Sequence, residues 1–273
     1  MKQNEQKIGM MYTLNAYLIW GILPIYWKLI QHVPSGEVLA HRIIWSFVLM
    51  IVILIFAKRA KTFIYEFKRM WQNKKSLLGI IAASIIISLN WLTYIWAVQN
   101  DYVIEASLGY YINPLISVIL AVIFLKERLD QQQRIAVLIA VVGVVFLTFS
   151  YGVFPWVSII LAVTFAIYGL VKKLVDIDEM FGLTFETLFI TPLALIYLLA
   201  LPSSNLTAYV TDSSTLFLLI GTGAATAVPL LLFAYGAKRI QLGLLGFMQY
   251  ISPTIMLFIG IFLYQEPFTW VHF

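Results

Sequence analysis

A few ionisable side chains fall inside long apolar stretches of this chain, and they are the first candidates for chemistry. Arg42, next to His41, lies about one turn into one stretch, and Glu186 lies at a similar depth in another. A buried guanidinium could hold a carboxylate or phosphate through two parallel hydrogen bonds. Alternatively, its long stem could let the charge reach an aqueous boundary. Glu186 could pair with Arg42, carry a proton because burial raises a carboxyl pKa, or reach the boundary itself.

Amide and aromatic side chains form a second group of candidates. Asn90 lies in the middle of an apolar stretch with Tyr94 one turn further on, and a buried amide must find hydrogen-bond partners. It either ties helices together or faces a cavity. Trp20 could offer a flat face to a planar or cationic ligand, and tyrosines near Pro114 and Pro253 could line the same space or simply pack. The predicted cavity residues are Trp20, His41, Arg42, Asn90, Tyr94, Tyr110, Tyr111, Asn113, Glu186, Gln249 and Tyr250.

The amino-acid composition indicates whether water or lipid surrounds these residues. The 273 residues are 62% hydrophobic and 11% charged, and their mean hydropathy is +0.91. A soluble domain is about half apolar and about a quarter charged. Lipid must therefore surround most of this chain. With no cysteine and three histidines, the sequence predicts no metal site, no cofactor and no catalytic constellation.

The apolar stretches are long enough to cross a bilayer as helices. We therefore predict an all-α, polytopic membrane fold. A further apolar run begins after Pro267, so we expect a tenth helix that is truncated at Phe273. The nine complete predicted helices are 9–29, 38–56, 76–97, 103–124, 134–150, 155–171, 181–201, 215–236 and 242–264.

The basic residues indicate how these helices are oriented. With the N-terminus in the cytoplasm, 16 of the 18 lysines and arginines fall in cytoplasmic segments, and only Lys28 and Arg42 lie toward the other face. Basic loops favour the cytoplasmic side of a membrane. We accordingly interpret the basic stretch 58–75 as a topology determinant that contacts anionic lipid headgroups, and we expect no nucleic-acid partner.

Two segments of the chain are versions of each other. Residues 110–127 and 249–266 are identical at five of eighteen aligned positions, which include Tyr111/Tyr250, Pro114/Pro253 and Glu127/Glu266. Chance similarity between apolar helices is the alternative explanation. Because five predicted helices separate the copies, they must run in opposite directions across the membrane. This arrangement predicts an inverted repeat of five plus five helices, with one repeat in 1–150 and the other in 151–273.

Prolines and glutamates mark specific positions in these repeats. A proline removes one backbone N–H and frees the carbonyl four residues earlier. We expect helix breaks at Pro24, Pro114, Pro229 and Pro253. The two glutamates follow the C-terminal ends of their helices, where the helix dipole disfavours an anion. Glu127 and Glu266 should therefore find donors or counter-charges, and we expect them to lock the helix ends in place.

Four segments of the chain carry a recognisable family pattern. They are NWLTYIWAVQNDYVIEASLGYYINPLISVILAVIFLKERL at 90–129, YLIWGILPIYWK at 17–28, HRIIWS at 41–46 and LGFMQYISPT at 245–254. These segments resemble the drug/metabolite transporter superfamily, in particular its EamA-type branch and the RarD proteins within it, which are named for chloramphenicol sensitivity. This resemblance covers the whole chain. It implies a ten-helix inverted-repeat transporter of the bacterial inner membrane.

The sequence thus favours a secondary-active exporter of a small metabolite or a drug-like or amino-acid-like solute. Flux would be driven by a proton or a counter-substrate, because the ATP-binding motif G-x-x-x-x-G-K-[ST] does not occur. A channel or a regulatory membrane protein without transport is the main alternative, and an intramembrane enzyme is a third. The expected partners are a small-molecule substrate and the lipid bilayer. A homodimer is compatible with the sequence but is not predicted.

Overall fold

The structure is a computed structural model that describes residues 2–126, 154–175, 177–201, 212–237, 239–240 and 248–266, together with a few isolated positions between 131 and 142. Throughout these residues the regular secondary structure is helical. The helices are α1 (Lys2–Leu29), α2 (Ser35–Phe56), α3 (Ala60–Gln72), α4 (Lys74–Gln99), α5 (Val103–Leu125), α6 (Trp156–Leu174), α7 (Glu179–Ala200), α8 (Ser213–Ala237) and α9 (Ile251–Phe258), and α9 continues as a π-helix over Ile259–Leu263.

Most of these helices are suited to a membrane. Six of them, α1, α2, α4, α5, α7 and α8, are long and apolar enough to cross a bilayer, and two shorter apolar segments lie at Trp156–Lys172 and Ile251–Leu263. The predicted all-α polytopic membrane fold is confirmed. The predicted fifth helix (134–150) and the start of the ninth (242–247) lie outside the continuous described ranges.

Helix α3 was not predicted, because the basic stretch 58–75 was interpreted only as a topology determinant. Its apolar face carries Phe63, Phe67 and Met70, spaced four and three residues apart, and charged side chains occupy the other face. The Phe63 ring stacks on Phe185 of α7 with centroids 4.8 Å apart. With thirteen residues, α3 is too short to span a bilayer, so it packs as an amphipathic helix against the end of α7.

The helices before residue 126 pack mainly against helices after residue 154. Helix α5 lies along α6, α1 and α2 lie along α8, and α2 also contacts α7. Polar side chains connect the two parts of the chain, because a hydroxyl or amide in an apolar setting needs a partner. The Ser158 hydroxyl donates to the Glu105 carbonyl at 2.6 Å, and the Ser107 hydroxyl donates to the Pro253 carbonyl at 2.7 Å. Hydrogen bonds therefore join the two parts of the chain within the bundle.

The expected helix breaks are wrong at three of the four prolines. Pro24, Pro114 and Pro229 lie within continuous α-helices. A proline removes a single hydrogen bond, and neighbouring helices can accommodate the freed carbonyl in a membrane. Pro253 is different, because it lies in the first turn of α9, just after a turn at Tyr250, where a missing N–H costs little. The other irregularity in this helix is the π-helical segment after Phe258.

Gly109 on α5 allows the closest contact between α5 and α6. A Cβ at this position would lie 2.8 Å from the Ser158 carbonyl oxygen and 3.0 Å from the Ser158 Cα, whereas a Cβ at Gly169 would meet nothing within 4 Å. We expect Gly109→Ala to lower the free energy of unfolding by about 2 kcal/mol, because the backbone must shift. Gly169→Ala should be neutral or stabilising, because alanine favours a helix. Thermal unfolding in detergent measures both. Equal stability of the two variants would contradict this account of the contact.

Candidate functional site

A central cavity lies between the two parts of the helical bundle. Counted together with its open mouth, the space inside it is about 720 Å³. Its walls come from α1, α2, α4 and α5 on one side and from α6, α8 and the α9 region on the other. The lining residues are Tyr17, Trp20, Leu23, Arg42, Asn90, Trp91, Tyr94, Tyr110, Phe165, Leu230, Phe233, Gln249, Ser252, Pro253 and Met256.

Arg42 is a buried cation on this cavity. It is 4% exposed, and its guanidinium lies over the rings of Trp91 at 4.3 Å and Trp27 at 5.0 Å. Its Nε and Nη1 atoms have no hydrogen-bond partner among the described residues. The two tryptophan rings stabilise the charge, yet ring faces cannot satisfy the in-plane N–H donors. Arg42 is therefore placed to bind an anion in the cavity.

Two further polar atoms on the cavity wall lack protein partners. The Asn90 amide nitrogen donates to the Leu161 carbonyl at 3.0 Å and to the Thr164 hydroxyl at 2.8 Å, which ties α4 to α6. The Asn90 Oδ1 atom and the Tyr94 hydroxyl are both buried without a partner in the described part of the chain. Asn90 thus both ties helices together and presents an acceptor at the cavity.

Aromatic rings form the rest of the wall. Trp20 lies 5.6 Å from Tyr17 and 5.5 Å from Phe233, measured between ring centroids. Tyr110 meets Phe165 at 6.1 Å. These separations are typical of favourable aromatic pairs. These rings give the wall apolar faces suited to a flat apolar group.

The predicted cavity residues divide into two sets. Asn113 lies just behind the cavity, where its Oδ1 accepts a hydrogen bond from the Gln249 amide at 2.8 Å. His41 is half-buried on α2 and does not line the cavity. The aromatic wall formed by Tyr17, Phe165 and Phe233 was not predicted. The predicted residues that line the cavity are Trp20, Arg42, Asn90, Tyr94, Tyr110 and Gln249.

Tyr111 and Tyr250, which occupy equivalent positions in the two repeat segments, contact each other. Their rings stack with centroids 5.7 Å apart, and the Tyr111 hydroxyl lies 2.6 Å from the Thr254 hydroxyl. The ends of the two segments also match, because Lys126 and Gln265 both adopt a left-handed backbone with φ of 55° and 51°. Such a conformation is uncommon for residues other than glycine. The two segments therefore share this left-handed residue just before their glutamates.

Glu186 is buried in a separate cluster and does not pair with Arg42. Its carboxylate accepts hydrogen bonds from Lys172 Nζ at 2.8 Å and from the Tyr168 hydroxyl at 3.0 Å. Glu186 and Trp91 both line a second, smaller pocket, and Trp91 also lines the central cavity. The interpretation of Glu186 as a cross-half partner of Arg42 is wrong for this conformation.

Glu266 caps the N-terminus of α5. Its two carboxylate oxygens accept hydrogen bonds from the Val103 and Ile104 backbone N–H groups at 2.9 and 2.8 Å. The first-turn N–H groups of a helix lack partners within the helix and carry positive partial charge. Glu266 therefore links the end of the π-helix to the start of α5. Its repeat partner, Glu127, lies outside the described residues.

We expect Glu266→Gln to lower the free energy of unfolding by about 1–2 kcal/mol, because an amide has one acceptor oxygen and leaves one of the two α5 N–H groups unpaired. Glu66→Gln is the matched control, because the Glu66–Arg69 ion pair lies on the surface of α3 and contributes little. Thermal unfolding in detergent compares the two. The cap assignment fails if Glu266→Gln is as stable as Glu66→Gln.

Comparisons with known proteins agree with this architecture. Residues 7–149 match the EamA-like transporter family. The chain is 47% identical to the uncharacterized transporter YojE of Bacillus subtilis, over 98% of this chain and 90% of that protein. It is 39% identical to the protein RarD of Escherichia coli, over 97% of this chain and 89% of that protein.

A solved crystal structure shares the fold at low sequence identity. It aligns with a TM-score of 0.60 and 17% identity, over 100% of this chain and 93% of the other. Such a similarity concerns the fold alone. The family match covers residues 7–149, and the two relatives align in sequence over almost the full chain. The chain is a multi-pass membrane protein and belongs to the EamA-like transporter family.

Proposed function

We propose that this protein is a secondary-active transporter that carries a small organic solute through the central cavity by alternating access. The observation that carries the proposal is the position of Arg42 on a cavity whose walls come from both parts of the chain. Arg42 is a buried cation without a hydrogen-bonding partner among the described residues. An unpaired charge is costly to bury, so its position is best explained by a ligand.

The repeat supports alternating access. We propose that 1–150 and 151–273 form two inverted repeats related by an axis in the membrane plane. Residues on a two-fold axis contact their own equivalents, as the stacked Tyr111 and Tyr250 do. Transporters with such repeats bind substrate near the repeat interface and expose it to each side in turn by rocking. The central cavity adjoins this tyrosine pair through Gln249 and Asn113.

The direction of transport and the energy source complete the proposal. Sixteen of the 18 lysines and arginines fall on one side of the predicted topology, and this bias supports a bacterial inner-membrane protein with its N-terminus in the cytoplasm. We propose export of the solute, driven by a proton or a counter-substrate, with Glu186 as the carboxylate that exchanges the proton. Lys172 and Tyr168 hold its ionised form, and release of these contacts would allow protonation.

Flux in proteoliposomes tests the proposal directly. Liposomes that contain the full chain would be loaded with a panel of radiolabelled amino acids, aromatic acids and neutral aromatic compounds. Efflux would be followed with and without a proton gradient. We expect at least one solute to leave faster than from protein-free liposomes, and we expect the gradient to change its rate. Absence of flux for the whole panel under both conditions would contradict a transporter, and ion currents in a planar bilayer would indicate a channel.

A further inference from the structure

The central cavity has a charge balance that restricts its ligand. Arg42 is the one formally charged side chain among the described lining residues. The acids on the described helices are placed elsewhere, with Glu186 bound to Lys172 and Glu266 bound to the start of α5. A guanidinium remains protonated in proteins, so the cavity has a net positive charge. A ligand with one negative charge neutralises it, and a carboxylate matches the planar guanidinium.

The net positive charge of the cavity also disfavours a zwitterionic ligand. An amino acid would bring an ammonium group into the cavity along with its carboxylate. No described carboxylate lines the cavity to pair with it, and Arg42 would repel it. The tryptophan and tyrosine faces could attract a cation, but this attraction is smaller than the cost of removing an ammonium from water. The lining therefore selects an acid without an amino group.

The remaining lining atoms add two requirements. The Trp20–Tyr17–Phe233 cluster and the Tyr110–Phe165 pair offer ring faces and edges to a flat apolar body. The Asn90 Oδ1 atom is an acceptor without a partner among the described residues, and the Asn90 amide nitrogen already donates to Leu161 and Thr164. A ligand hydroxyl would satisfy it, and the Tyr94 hydroxyl could donate to the carboxylate.

We propose that the cavity binds a monoanionic aromatic acid that carries a hydroxyl group, with Arg42 on the carboxylate, Asn90 on the hydroxyl and the Trp20 cluster on the ring. This inference rests on the proposed function, because it names the substrate class of the same cavity. It narrows a broad class of metabolites and drug-like solutes to aromatic hydroxy acids.

Calorimetric titration of the full chain in detergent tests the inference with four matched probes. They are 3-phenyllactate, 3-phenylpropionate without the hydroxyl, L-phenylalanine with an ammonium in its place, and the neutral 3-phenylpropionamide. We expect 3-phenyllactate to bind most tightly. Loss of the hydroxyl should weaken binding roughly tenfold. Loss of the negative charge, from 3-phenylpropionate to 3-phenylpropionamide, should weaken binding about 100-fold. Replacement of the hydroxyl by an ammonium, from 3-phenyllactate to L-phenylalanine, should weaken binding by a similar factor. Tighter binding of L-phenylalanine or of the amide would overturn the inference.

Variants assign the contacts. Arg42→Gln should weaken 3-phenyllactate binding about 100-fold, and Tyr94→Phe should weaken it several-fold. Arg239→Gln is the matched control, because Arg239 lies on the surface in an ion pair with Glu5. Unchanged binding by Arg42→Gln would overturn the assignment of the carboxylate site.

The same probes in proteoliposomes separate this inference from the proposed function. If 3-phenyllactate binds but no probe is transported, the binding site stands and the proposed transport function is wrong. If only a different probe is transported, the transport function stands and the proposed substrate class is wrong.

Discussion

Arg42→Ala is expected to abolish substrate-dependent flux while the protein still inserts into the membrane. Arg42 supplies the charged donors on the described cavity wall, and removing one partner of a buried ion pair costs about 3 kcal/mol or more of binding free energy. This cost corresponds to a loss of about 100-fold or more in affinity. Efflux from proteoliposomes, normalised to the amount of reconstituted protein, measures the effect. Arg239→Ala serves as the surface control and should transport normally.

Substitution of Arg42 should impair transport without lowering the stability of the protein. In the absence of ligand, Arg42 has N–H donors that no described residue satisfies. Desolvation of a charge costs several kcal/mol, and two ring contacts recover only part of it. We therefore expect Arg42→Met, which fills a similar volume, to unfold at the same temperature as the parent chain or higher. A variant that transports normally, or one that unfolds much earlier, would identify Arg42 as a structural residue.

The second large effect is expected at the Lys172–Glu186 pair. The Glu186 side chain is 1% exposed, so Lys172→Met would leave a carboxylate buried without its counter-charge. We expect this change to lower the free energy of unfolding by about 3 kcal/mol. The double variant Lys172→Met/Glu186→Gln removes both charges and should recover most of the loss. Thermal unfolding of the two single variants and the double variant forms the cycle that isolates the pair.

The same variants separate a structural role of Glu186 from a role in proton transfer. We expect Glu186→Gln to transport down a solute gradient but to lose its response to a proton gradient, because an amide cannot exchange a proton. Coupling that survives in Glu186→Gln would remove Glu186 as the proton carrier and leave it a structural ion-pair residue. Proteoliposome flux with and without an imposed pH difference measures this response.

Much of the fold could be predicted from the sequence, because apolar length is a strong signal in a membrane protein. The failures have physical causes. Helix α3 is short and charged, so a search for long apolar runs does not find it, although the spacing of Phe63, Phe67 and Met70 was visible. Prolines predicted breaks at Pro24, Pro114 and Pro229, yet a single missing hydrogen bond does not end a helix that neighbours support.

The cavity could be predicted only in part for a related reason. Arg42 and Asn90 stand out because polar groups are rare in apolar stretches. Tyr17 and Phe233 do not stand out, because rings that face lipid and rings that face a cavity look alike in a sequence. Leu18 beside Tyr17 is 42% exposed while Tyr17 is 3% exposed, and only the packing distinguishes them.

The pairing of Glu186 illustrates a limit of repeat arguments. Glu186 and Arg42 lie at similar positions in the two halves, which suggested that they meet. Residues related by a two-fold axis contact each other only near that axis. Tyr111 and Tyr250 occupy equivalent positions and are in contact, whereas Glu186 falls only close to the position equivalent to Arg42 and pairs with Lys172 instead.

The central claim, alternating access to the cavity, can be tested without knowledge of the substrate. The sequence contains no cysteine, so Ser252→Cys places a single thiol on the cavity wall with little change in shape. Ser158→Cys, buried between α5 and α6, is the unreactive control. A membrane-impermeant maleimide would be applied to intact cells and to inside-out vesicles. The account predicts that Ser252→Cys is labelled from both sides and Ser158→Cys from neither. Labelling of Ser252→Cys from one side only, or from neither, would contradict alternating access.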